Sequence, residues 1–164
     1  MILGMSTFTF VHTVLSLVAL VSGLVVVFGM TGSRTLPVWT AVFLVTAVAT
    51  SATAFGFPFE KLEASHWIGI ISLVALGIAI LARYAFRLAG AWRWVYAVTA
   101  ILASYFLVFV TIAQAFKKLP ALHALAPTLS ETPFAVSQSV ALVVFIVLTV
   151  LAVRRFHPAT AHLA

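Results

Sequence analysis

The chain has 164 residues, 64% of them apolar and 7% charged, with a formal net charge of +6 and a mean hydropathy of +1.23. Nine basic and three acidic side chains cannot form a charged shell over a soluble core of this length, so the apolar surface is expected to face lipid. The basic residues sit at the ends of apolar runs rather than in one patch, which argues against nucleic acid as a partner, and the absence of cysteine excludes disulfides, iron–sulfur clusters and thiol chemistry.

A helix needs about 20 residues to cross roughly 30 Å of hydrocarbon. Five stretches meet that length, at about 8–30, 37–57, 67–88, 92–116 and 133–153. They predict an all-α membrane protein, a single transmembrane domain over 1–164 folded as a five-helix bundle. The first run begins near Phe8 with no basic residue before it, which reads as a mature span rather than a cleavable signal peptide. The second carries Thr40, Thr46, Thr50, Ser51 and Thr53, whose hydroxyls are expected to bond back to their own helix. Pro37 opens that span, and Gly56-Phe57-Pro58 closes it.

With five spans, Arg34, Arg83, Arg87, Arg93, Arg154 and Arg155 fall on one side, and Lys61, Lys117 and Lys118 on the other. Discarding the second span evens this distribution. The positive-inside rule therefore favours five helices with the N-terminus outside and the C-terminus cytoplasmic. Trp39, Trp92 and Trp94 then lie at inner ends and Trp67 at an outer one, as interfacial belts require. Small residues predict the packing faces: Ser16, Ala19 and Gly23 in the first helix, Ser72, Ala75, Ala79 and Ala82 in the third, and Ala97, Ala100, Ser104 and Thr111 in the fourth.

Polar groups inside lipid are costly and invite a functional reading. His12, His66, Gln114 and Gln138 come from four helices and share one depth near the outer face. His12 continues the Ser16, Ala19, Gly23 face, and Gln114 the Ala100, Ser104, Thr111 face. His66 is placed with Gly69, Leu73, Gly77 and Tyr84, opposite the small stripe of its helix. A pocket here is expected to bind a redox cofactor, a quinone-like lipid or a metal. His12 and His66 can be drawn as axial ligands of haem b, or as interfacial histidines bonded to hydroxyls and water.

Glu60, Glu63 and His66, spaced three and three, form one edge of a helical turn able to hold a divalent metal, or a solvated turn at a helix start. No catalytic residue is indicated: the chain has no Asp or Cys, and no serine stands in a nucleophile motif. No acid lies within a span, which disfavours a coupled carrier. The alternatives are an accessory or assembly subunit of a larger membrane complex, a homo-oligomer, and a passive pore for a small neutral solute. Between Lys117 and Thr132, Pro120 and Pro127 bracket leucines at 119, 122 and 125, predicting a short helix on the membrane or over the polar layer. Ser130-Glu131-Thr132-Pro133 reads as the start of the last helix.

Gly56-Phe57-Pro58-Phe59, Ser65-His66, Arg83-Tyr84, Trp92-Arg93 and Ala124-Leu125-Ala126-Pro127-Thr128 together resemble a family of small, uncharacterised bacterial inner-membrane proteins. The resemblance covers most of the chain. It implies a bacterial membrane setting and a helical bundle, and it transfers no activity and no site residue. The denser histidine pattern of the cytochrome b561 proteins is not matched.

Overall fold

The computed structural model describes residues 6–57 and 64–158. These fold as α1 (Thr7–Thr31), α2 (Pro37–Ala54), α3 (Ala64–Ile80, prolonged by a wide π turn over Leu81–Ala85), α4 (Trp92–Lys118), the short α5 (Pro120–Leu125) and α6 (Thr132–Arg155). Among the described residues, five helices are long and apolar enough to cross a membrane, and the fold is wholly helical. α1 packs on α2, α4 and α6, while α3 packs on α2 and α4, so α1 and α4 are the central helices.

The starts of the helices follow from local chemistry. Ser6 caps α1 by accepting from the Thr9 N–H at 3.1 Å, and prolines stand in the first turns of α2, α5 and α6, where the missing N–H breaks no helical bond. The ends are less regular. α2 stops at Ala54, and α3 departs from the span 67–88: it widens at Leu81–Ala85, and Arg87 and Leu88 then take positive φ, at 49° and 59°. The Phe86 ring stacks on Trp92 at 3.8 Å and fixes this tight return into α4.

Small residues set how closely the backbones approach. A Cβ on Gly23 would lie 2.9 Å from the Phe43 ring and 3.0 Å from Ser104 Oγ, so α1 contacts α2 and α4 at that position. Such close packing drives helix association where lipid removes the usual hydrophobic force. The predicted stripes are buried at Ala19 and Gly23, at Ser72, Ala75, Ala79 and Ala82, and at Ala97, Ala100 and Ser104. Around them close Val26, Phe43, Leu76, Tyr96, Ile101 and Phe145.

Several hydroxyls inside the spans are returned to their own helices, whereas Thr40 donates to the Thr35 carbonyl of the α1–α2 loop at 3.0 Å and the buried Thr50 hydroxyl has no partner among the described residues. Ser22 donates to the Val18 carbonyl at 2.6 Å, Thr46 to Val42 at 2.7 Å, Thr99 to Val95 at 2.8 Å and Thr149 to Phe145 at 2.7 Å. This satisfies the polar group without a partner helix. The outward faces are apolar, with Phe28, Val38, Val45, Val74 and Val143 each more than half exposed. The predicted short helix is α5, which packs on α4 with Leu119 and Leu125 exposed.

Candidate functional site

His12 lies near the start of α1 and is half-buried. Its Nδ1 is 2.8 Å from Thr53 Oγ1 on α2. The Thr53 hydroxyl proton is already committed to the Ala49 carbonyl at 2.7 Å, with Thr50 O at 3.2 Å, so the Thr53 oxygen can only accept. This arrangement favours the Nδ1–H tautomer for a neutral His12, which leaves the Nε2 lone pair without a partner among the described residues. Phe57 sits edge-on to the imidazole at 5.0 Å, and Phe8 lies edge-on to Phe57 at 5.0 Å. Gly56 makes room for this group, because a Cβ there would meet the Phe8 ring at 2.6 Å.

His66 is buried at the start of α3, and its ring lies 5.8 Å from that of Phe55. It does not face away from the small stripe. Buried positions run His66, Gly69, Ser72, Leu76 and Ala79 in steps of three and four, while Gly77 and Tyr84 are exposed, so His66 shares the core face. Gln138 is buried on α6, where its Nε2 donates to the Phe109 carbonyl of α4 at 3.1 Å. Gln114 is exposed. The face that is buried at Ala100 and Ser104 has turned outward by Thr111.

The polar residues expected to form one layer thus belong to different helix contacts. His12 bonds α1 to α2, His66 lies at the contact of α3 with α2, Gln138 joins α6 to α4, and Gln114 faces outward. Of the proposed metal set, Glu60 and Glu63 lie outside the described residues. Among the described residues, no three of His, Cys, Asp and Glu stand close enough to hold a metal.

Two features at the other end of the bundle escaped the sequence reading. Arg83, on the π turn, holds its guanidinium 5.5 Å from the centre of the Tyr96 ring and 5.8 Å from that of Tyr84. The Tyr96 hydroxyl beside it is buried near Thr40 and Arg83 without a hydrogen bond of normal geometry among the described residues. Nearer the lipid, an open groove of about 840 Å³ runs along the C-terminal half of α1 between Arg34 and Arg155. The tandem arginines at the end of α6 were legible as topology signals, but their approach to the α1–α2 loop was not.

Five helices of this length and composition are the architecture of a multi-pass membrane protein. No family model, curated protein or solved structure matches the chain.

Proposed function

We propose that the protein is a multi-pass protein of a bacterial inner membrane that binds the head group of a quinone-like lipid at the His12 end of the bundle. The supporting observation is the His12 Nδ1–Thr53 Oγ1 contact, which leaves Nε2, without a partner among the described residues, to accept a hydrogen bond from a quinol hydroxyl. Phe8 and Phe57 offer ring edges for a flat aromatic group, and Phe8 is 42% exposed, so a lipid-borne ring can arrive sideways from the bilayer. Under the positive-inside reading this end is the outer one.

Quinone extracted from protein purified in mild detergent tests this reading. Near-stoichiometric quinone in the wild type, reduced at least tenfold in His12→Leu and largely kept in His12→Gln, is expected, because glutamine retains an acceptor. Equal quinone in the wild type and His12→Leu would overturn it. So would a Soret band lost in His12→Leu, which would make His12 a haem ligand instead.

A second reading, an accessory subunit or homo-oligomer, is favoured by α6. This is the least buried of the five spanning helices. Val136, Val140, Val143, Val147 and Val150 recur on it in alternating steps of four and three, all exposed. That spacing is the heptad seam of a helix that packs lengthwise on another. The chain has no cysteine, so Val143→Cys is a clean probe. A disulfide-linked dimer, or a fixed cross-link to a larger partner, supports this reading, and a monomer under oxidising conditions counts against it.

A further inference from the structure

The geometry points to a site for an anionic glycerophospholipid in the groove between α1, the α1–α2 loop and the end of α6. Its wall is an apolar stripe of α1, formed by Val21, Leu24, Val25 and Phe28, and its mouth holds Arg34 and Arg155. From Val21 to Thr31 the groove follows ten residues of helix, about 15 Å, or half of a hydrocarbon core of roughly 30 Å. That is the depth of one leaflet and the reach of one acyl chain.

The mouth is cationic and unneutralised. Neither guanidinium has a hydrogen-bond or ion-pair partner among the described residues. The one acid among those residues, Glu131, stands at the far end of α6, on the order of 36 Å from Arg155 along the helix. Beside Arg34, α2 begins at Pro37 with no side-chain cap, so the partial positive charge of that helix end adds to the arginines.

The two basic elements are held together. Ser33 Oγ accepts from the His157 N–H at 2.9 Å, which ties the end of α6 to the α1–α2 loop. Two guanidiniums lining one groove at the polar boundary, above an apolar wall one leaflet deep, match a phosphate with its acyl chain below. A zwitterionic lipid would bring its own ammonium to the same mouth. An anionic lipid is therefore preferred.

The test mixes delipidated protein in mild detergent with dioleoyl phosphatidylglycerol or dioleoyl phosphatidylcholine and reads bound lipid by native mass spectrometry. The wild type is expected to bind phosphatidylglycerol at least tenfold more tightly. Arg34→Gln and Arg155→Gln should each weaken it about fivefold, Arg34→Lys should retain most of it, and Arg87→Gln, an exposed arginine outside the groove, should leave it unchanged. Val25→Trp, which fills the groove without altering charge, should also weaken binding. If Arg155→Gln fails to fold, Val25→Trp and Arg34→Lys carry the test. Equal affinity for the two lipids, equal loss in Arg87→Gln, or no effect of Val25→Trp would overturn the site. Displacement of the lipid by millimolar inorganic phosphate, with Val25→Trp indistinguishable from wild type, would assign a free-anion site and overturn the lipid.

Discussion

Tyr96 is 1% exposed, and its hydroxyl makes no hydrogen bond of normal geometry among the described residues, its polar neighbours Thr40 and Arg83 lying just beyond that reach, while its ring faces the Arg83 guanidinium. A buried hydroxyl left unmatched loses about 1–3 kcal/mol of solvation that no bond restores. Tyr96→Phe keeps the ring and removes the stranded oxygen, so thermal unfolding in detergent is expected at or above the wild-type temperature. Tyr96→Ala, which leaves a cavity as well, should cost about 3–5 kcal/mol. A clear loss of stability in Tyr96→Phe would mean that the hydroxyl has a partner in the membrane.

Glu131 carries a second residue-scale prediction. Its carboxylate folds back on the preceding turn, accepting from the Thr128 hydroxyl at 2.8 Å and from the N–H groups of Thr128 and Ser130 at 3.1 Å each. The Thr128 hydroxyl is the main cause that holds its pKa below the ordinary 4.5. A carboxyl depressed on folding stabilises the turn above its unfolded pKa, and that stabilisation is lost as pH falls through the lower folded value. Amide exchange at Thr128 and Ser130 should therefore quicken, relative to neighbouring amides, as pH falls below the ordinary carboxyl range in the wild type. In Glu131→Gln the turn should lack this pH dependence.

At the scale of the helices, glycines separate close packing from lipid exposure. Gly23 sits where α1 meets Phe43 and Ser104, whereas a Cβ added at Gly77 on α3 would meet nothing within 4 Å. Gly23→Ala is expected to cost about 1–3 kcal/mol through overpacking. Gly77→Ala should be neutral or raise stability by up to about 1 kcal/mol through helix propensity. Equal effects in unfolding titrations would contradict the packing of α1 at this point.

The same contrast explains what could be read from the sequence. Apolar length located all five long helices, prolines marked the starts of α2 and α6, and small residues marked the buried stripes. The end of α3 was not legible, because Leu-Ala-Arg-Tyr-Ala contains nothing that announces a π turn, and the first left-handed residues that follow, ahead of Gly90, are Arg87 and Leu88. Gln114 keeps the phase of Ala100 along α4, yet it is exposed. The last turns of α4 are met by α6, through Phe116 against Phe134 at 5.5 Å and Phe109 against Gln138, so a different face is covered there. Helical periodicity records one face per helix and cannot record such a change of neighbour. For the same reason it could not show that His12 and His66 contact different residues of the α2 end.

For the whole molecule, the distribution of charge over the two ends makes an orientation testable. Arg34, Arg83, Arg87, Arg93, Arg154 and Arg155 gather at the end that holds the α1–α2 and α3–α4 connections, while Lys117 and Lys118 stand at the other with α5. Under our proposed orientation, with the short basic segments retained on the cytoplasmic side, α5 and His12 lie outside. Because the chain lacks cysteine, this is directly measurable with single-cysteine variants at exposed positions. Ala124→Cys on α5 should react with a membrane-impermeant maleimide in intact spheroplasts, and Ala89→Cys in the α3–α4 turn only after permeabilisation. The opposite pattern would invert the bundle, moving the His12 group to the cytoplasmic side and the Arg34–Arg155 groove to the outer leaflet. Labelling of both in intact cells would mean that the number of spans between α3 and α5 is wrong.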